Sequence, residues 1–158
     1  MNNWTRKRKA RGFTLVELLI VIVIIGILAG SMLLVFGSAT DKAKATRIVS
    51  DMRNLKAAAL MYYADYNDWP SDTNSDAFDD ALKPYMDRDK PSQGEYATYG
   101  IDSGDIEGVA SAGVFIYASG FEQGIGSKLK EIADDEGSII VTTSGDVDEA
   151  YMMLSRTQ

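Results

Sequence analysis

From residue 18 to residue 30 the chain reads LLIVIVIIGILAG, without a single polar side chain. Widening the window to residues 13–36 adds only Thr14, Glu17 and Ser31 as polar positions. Coiled as a helix at ~1.5 Å per residue, that stretch would span ~36 Å, enough to cross a bilayer. Hydrocarbon offers nothing to bond a peptide group, so a helix that satisfies its own backbone is the form open to such a run. It has no polar face, and lipid or protein must therefore cover it on all sides. Glu17 is the anomaly, because an ionised carboxylate in hydrocarbon is costly unless it is protonated or paired with a cation.

The charges divide along the chain. Of 158 residues with a formal charge of −7, the charged ones before Gly12 are all basic: Arg6, Lys7, Arg8, Lys9 and Arg11. A basic flank of this kind holds its end of a span on the cytoplasmic side, which predicts N-terminus in and C-terminus out. The apolar run is longer than that of a secretory signal and continues into a polar helical pattern, so cleavage after it is not indicated. The acidic remainder lacks the clustered Lys and Arg that phosphate backbones demand, and no direct nucleic-acid binding is expected. Absence of both Cys and His removes disulfides, thiol nucleophiles, Ser-His-Asp arrangements and the usual zinc sites.

At Gly12-Phe13-Thr14-Leu15-Val16-Glu17 the chain resembles the type IV pilin superfamily, with a short basic leader, a Gly-Phe junction, a Glu four positions further on and an uninterrupted apolar helix. The resemblance implies that a prepilin peptidase cuts between Gly12 and Phe13 and that the new amino group of Phe13 is methylated. A glycine before the cut lets a protease approach the backbone closely. The resemblance also gives Glu17 a partner, the Phe13 amine of a neighbouring subunit, and makes that pair the setter of axial register in a filament. The implied function is a structural subunit that polymerises through its N-terminal helix into a type IV pilus or a type II secretion pseudopilus. Its implied partners are further copies of itself, the peptidase, an inner-membrane assembly machinery and minor pilins or pseudopilins. The implied location is the bacterial inner membrane before assembly and a periplasmic or cell-surface filament afterwards. Glu17 argues against the filament-tip class, and the short leader points to the type IVa-like branch. The missing cysteine pair disfavours a disulfide-looped pilin and the acidic C-terminal region leans towards a pseudopilin, leaving pilus, secretion pseudopilus and competence system open. Many relatives carry a proline where this chain has Leu34, with Gly30 and Gly37 nearby instead. A reading from another class is an uncleaved, single-pass membrane-anchored binding or sensor domain.

Beyond Gly37, Ile48, Met52, Leu55, Ala59, Tyr62 and Tyr66 recur at steps of three and four, the period of an amphipathic helix. Lys42, Lys44, Arg47, Asp51, Arg53 and Lys56 fall mostly off that stripe. The spacing predicts one helix of ~50 residues, ~80 Å long, ended by Asn67-Asp68-Trp69-Pro70. Gly26 and Gly30 form a GxxxG spacing that permits close helix approach. Further on, SDAFDDALKPYM at 75–86 reads as a short helix with Ser75 as its cap, and 127–135 as one or two helical turns. Strands are predicted at 96–101, 113–119, 138–143 and 151–154. Four short strands need a cover, so the expected fold class is α+β and pilin-like: a long N-terminal helix packed on a small antiparallel sheet. The expected divisions are a cleaved leader at 1–12, the membrane and assembly half of the helix at 13–37, its amphipathic half at 38–68 and a globular head at 69–158.

No pair of carboxylates is marked out for acid and base work, so no catalytic residues are expected; charge runs are usually solvated faces. Calcium is the one cofactor the acids suggest, because it takes several oxygen ligands from flexible loops. The candidate ligands are Asp134, Asp135, Asp146 and Asp148, flanking the third strand, and the resemblance to major pseudopilins, which hold calcium in their C-terminal part, points the same way. Tyr62, Tyr63, Tyr66 and Trp69 are expected in the core. A chain beginning after Gly37 loses the apolar run and keeps the stripe that the sheet must cover. It is expected to fold as a soluble monomer, and ordered filaments in analytical ultracentrifugation or electron microscopy of that fragment would contradict this.

Overall fold

A computed structural model describes residues 12–70, 74–104, 106, 112–144 and 147–156. The chain divides into two compact units, Met1–Gly37 and Ser38–Gln158. The first helix, α1, runs Leu15–Tyr66 and is long and apolar enough to cross a membrane by length and composition. In the first unit its side chains from Leu15 to Met32 are exposed, so nothing among the described residues gives them the cover that a helix without a polar face needs.

In the second unit α1 becomes one-sided. Ala45, Ile48, Met52, Leu55 and Ala59 have no exposed surface, and each aliphatic side chain of Val or Leu size removed from water contributes about 2 kcal/mol. They share one core with Val114, Ile116, Ala118, Ala150 and Met152, the alternate residues on one face of the sheet. The sheet consists of β1 (Thr98–Gly104), β2 (Gly113–Ser119), β3 (Ile140–Ser144) and β4 (Val147–Arg156) in the order β1-β2-β4-β3. Every neighbouring pair is antiparallel. Two further helices complete the unit, α2 (Ser75–Leu82) and α3 (Gln123–Glu136). Phe78 and Leu82 of α2 and Ile125 and Leu129 of α3 join the same core.

Helix α3 is longer than the turn or two predicted, since its sequence starts with two glycines that discourage helix. The second glycine has a packing reason: a β-carbon at Gly126 would collide with the carboxylate of Asp148 on β4. Lys44 of α1 pairs with Glu122 just before α3 at 3.3 Å, and Arg53 of α1 pairs with Glu136 at its end. Gly137 stops the helix in the left-handed conformation at φ 64°, its N–H donating to the Ala133 carbonyl, a common glycine terminus.

Other boundaries also shift. The cap of α2 is Asn74 and not Ser75: Asn74 is extended, and its Oδ1 accepts the Ala77 N–H at 2.7 Å. α2 ends at Leu82 and tightens into a 3₁₀ turn, Lys83–Tyr85, because Pro84 has no N–H to continue the helix. β1 begins two residues later than predicted and runs to Gly104, while β4 extends to both sides of 151–154. Tyr62 and Trp69 pack against the core, but Tyr63 and Tyr66 stay exposed, so the expectation of a core role fails for those two.

Asp51 is the largest departure. Its sequence position sits off the stripe, yet it is only 3% exposed. Arg88 donates to it at 3.0 Å, the Tyr99 hydroxyl at 3.2 Å, and Arg47 lies 3.6 Å away. Burial first, and then the Asp51 carboxylate, push the Tyr99 phenol well above its ordinary pKa, so it remains a donor. Asp79 of α2 is buried too and accepts the N–H of Ser92 at 2.5 Å and its hydroxyl at 2.8 Å. The two carboxylates tie residues 88–99 to the helices. Breaking a buried charged cluster by removing one member costs roughly 3 kcal/mol, so Asp51→Ala should destabilise by about that much and Asp51→Asn, which keeps an acceptor, by less. Urea unfolding of a fragment beginning at Ser38 measures both, and equal stability of the Ala variant and the parent would refute the role given to Asp51.

Candidate functional site

The start of α1 gathers the residues on which the sequence reading turns. Helix α1 opens at Leu15, which makes Thr14 the capping position and Glu17 the third helical residue. The Glu17 carboxylate accepts the Thr14 N–H at 2.9 Å and the Thr14 hydroxyl at 2.8 Å, while the Glu17 N–H donates to Thr14 Oγ1 at 3.2 Å. This is a reciprocal capping box, in which two helix-end donors are satisfied by two side chains three positions apart. The helix dipole adds to it, favouring negative charge in the first turn. Thr14 was not singled out from the sequence, although the Thr-x-x-Glu spacing is itself the signal for such a box.

Phe13 lies one residue before the cap and is 82% exposed. Gly12 precedes it, and the basic leader residues Arg6, Lys7, Arg8, Lys9 and Arg11 lie outside the described residues. Gly26 and Gly30 fall within the exposed part of α1, and a β-carbon at either would meet nothing within 4 Å. Nothing among the described residues therefore explains their small size.

The acidic candidates do not converge. Asp134 and Asp135 are exposed in the last turn of α3, not in a loop. Asp148 is on β4 against Gly126 in the first turns of α3, two helical turns away from Asp134, or ~12 Å along the axis. Asp146 lies outside the described residues. Among the described residues no three or more acids or other ligand side chains group as a metal would require. The aromatic residues are paired locally: Tyr62 with Tyr66 at 4.6 Å, Tyr63 stacked on Trp69 at 4.5 Å, and Tyr62 edge-on to Tyr85 at 6.2 Å. The Tyr85 hydroxyl donates to Asp65 at 2.6 Å, and that bond pushes its pKa up to about 12.

Comparison with known proteins bears on the N-terminal segment first. Residues 7–33 match the family model described as the prokaryotic N-terminal methylation motif, which covers the second half of the leader, the junction, the capping box and most of the apolar run. The chain carries this methylation motif and is similar to type IV pilins and type II secretion core proteins. Residues 39–110 also match the model described as PilW, C-terminal. The chain is 38% identical over 65 residues, 41% of its length, to a fimbrial protein of Neisseria meningitidis, covering 38% of that protein. It is 41% identical over 66 residues, 42% of its length, to type II secretion system core protein G of Klebsiella michiganensis, covering 46% of that one. The chain thus spans less than half the length of each of these relatives. Among solved structures, the major type IV pilin PilA1 of Clostridium difficile matches with a TM-score of 0.47 and 22% identity, over 75% of this chain and 98% of that one. With a methylation motif at the junction, the reading as an uncleaved anchored sensor domain is not favoured.

Removing an N-cap side chain costs a helix about 1 kcal/mol, a roughly five-fold change in the opening of its first turn. Thr14→Ala should therefore speed amide hydrogen exchange at Glu17 and Leu18, whose N–H groups bond to Thr14, several-fold in detergent micelles, and Thr14→Ser should restore protection. Unchanged exchange in Thr14→Ala would show that the box contributes nothing to the helix start.

Proposed function

We propose that this chain is a type IV pilin superfamily member, a filament subunit of a type IV pilus or a type II secretion pseudopilus. It is inserted with its N-terminus in the cytoplasm, cut between Gly12 and Phe13, methylated on Phe13 and polymerised through α1. The observation that carries this is the coincidence, within one segment, of the methylation motif with an apolar helix that has a single carboxylate in its first turn. The relatives are pilins and secretion core proteins, which supports a filament without choosing between the two systems.

The physical logic has two parts. On leaving lipid, the apolar length of α1 must find another apolar surface, and copies of the same helix supply one while Gly26 and Gly30 allow close approach. Glu17, once cleavage has freed the Phe13 amine, offers a carboxylate to the cation of the next subunit, and a pair formed in a dry core holds only at one axial offset. The partners in this reading are other copies, the prepilin peptidase, an inner-membrane assembly machinery and minor pilins or pseudopilins. The acidic head serves as the solvent-facing body of the filament, and calcium has no assigned place in it.

Mass spectrometry of the membrane fraction from cells with the peptidase tests the first half: the expected N-terminus is methylated Phe13, and an intact leader would refute the reading. For the second half, Glu17→Ala should still be cut yet give at least ten-fold fewer filaments. Normal assembly of that variant would remove Glu17 from the register.

A further inference from the structure

The charge of the second unit is unevenly placed. Residues 38–50 carry three cations, Lys42, Lys44 and Arg47, and one acid, Asp41, whereas residues 51–158 carry eight Lys and Arg against 21 Asp and Glu. A basic stretch therefore opens an otherwise acidic head. It also follows the apolar run closely: Thr40 stands four residues after the run ends at residue 36, so the backbone alone keeps it within ~14 Å of that end. The polar headgroup layer of a bilayer starts where such a run stops and is roughly 5–7 Å deep on each side. Thr40, Ala43, Lys44 and Arg47 of α1, with Glu95 and Tyr96 from the segment before β1, line an open groove of about 560 Å³.

The groove presents both signs of charge. Arg47 keeps over half of its side chain exposed and is the looser partner of Asp51, at 3.6 Å against 3.0 Å for Arg88. Lys44 has its Nζ 3.3 Å from Glu122 and 5.8 Å from the centre of the Tyr96 ring. Glu95 is exposed and accepts the Tyr96 hydroxyl at 2.7 Å. Two cations suit a phosphate, and a carboxylate beside an aromatic ring suits an ammonium. Basic residues beside a span are drawn to lipid phosphates, and tyrosines gather at the level of the headgroups. We infer that this groove takes the headgroup of an aminophospholipid of the membrane that α1 enters, its phosphate against Lys44 and Arg47 and its ammonium against Glu95 and Tyr96. A purely anionic headgroup would leave Glu95 facing like charge, and a quaternary choline has no N–H to donate to it. The inference needs the membrane anchoring of the functional reading, and neither cleavage nor filament formation. It gives the subunit in the membrane a second attachment besides its span, one that must be released when α1 leaves lipid.

The test uses the full chain in nanodiscs made of equal parts phosphatidylethanolamine, phosphatidylglycerol and phosphatidylcholine. A genetically encoded photo-crosslinking residue replaces Ala43, which is exposed at the groove, and mass spectrometry identifies the lipid attached after irradiation. Contact with bulk lipid alone would give the three in proportion; the expected result is the ethanolamine adduct in at least five-fold excess over either of the others. Arg47→Gln should abolish that excess, and Arg47→Lys should keep most of it. Glu95→Gln should move the preference to phosphatidylglycerol, because the groove is then left with cations alone. Arg47 also touches Asp51, so melting in detergent checks the fold of each variant, and if Arg47→Gln is unstable the result with the exposed Glu95 decides. No lipid adduct, adducts in proportion to the mixture, an excess of another lipid in the parent, or an ethanolamine excess that both substitutions leave unchanged would overturn the inference while leaving the filament reading intact. Failure of the parent chain to enter the nanodisc would overturn the membrane anchoring and this inference with it.

Discussion

One helix in this chain has to satisfy two different environments, and the rest of the molecule follows from how it does so. Over residues 18–30 no direction away from the axis is polar, so no single sheet or loop of the same chain could cover the helix there. From Ala45 to Ala59 the apolar positions fall on one side, and a single sheet face is enough. The change comes within about three turns of Gly37, without a proline to end the helix. The sheet depends on α1 as much as α1 depends on the sheet, since the apolar face of each is removed from water only by the other.

The buried acids of the head have a corresponding logic. Residues 86–97 form no long regular element, so their peptide groups cannot all bond to one another and must find fixed acceptors elsewhere. Two carboxylates supply them from rigid helices. Asp79 takes the N–H and hydroxyl of Ser92, and Asp51 takes Arg88 from this segment and Tyr99 from the strand that follows. A buried carboxylate is a poor source of net stability, but it is a strict one: an arrangement in which Ser92 or Arg88 is displaced leaves a desolvated charge unpaired. Hydrophobic contacts from Ile48, Met52 and Leu55 would tolerate a small slide of the segment over α1, whereas the paired carboxylates would not.

The parts of this architecture that were legible in the sequence are those in which residue type and period agree. The apolar run, the stripe from Ile48 to Ala59 and the strand at 113–119 all emerged from pattern alone, because each is built by burial on a regular repeat. Asp51 reads as a surface charge, since nothing in a helical period says that an acid will meet an arginine 37 residues later in the chain. The extent of α3 was missed because Gly124 and Gly126 argue against a helix locally, and only the approach of Asp148 explains the second of them. Tyr66 continues the stripe by period, yet it stays exposed with its ring against Tyr62. At the candidate site the methylation motif is readable from residue order, and the Thr-x-x-Glu spacing carries the capping box as well.

That bond alters the energetic question posed by Glu17. A lone carboxylate at the start of a membrane helix has no partner in the lipid, but in this chain it has two donors from Thr14 before any second subunit arrives. The helix end gains as well, because the Glu17 N–H finds Thr14 Oγ1 in a medium where an unsatisfied N–H is expensive. The waiting subunit is therefore locally complete, and an incoming ammonium need not rescue a bare charge. In the proposed filament it has to improve on hydrogen bonds already made, either by adding to the Thr14 contacts, since a carboxylate can accept several donors at once, or by replacing them. Only the difference between those states is available to drive register, and it is smaller than the attraction of an isolated pair. Much of the driving force for assembly must then come from the apolar surface of α1, with Glu17 choosing among the offsets which that surface, lacking any polar mark of its own, cannot tell apart.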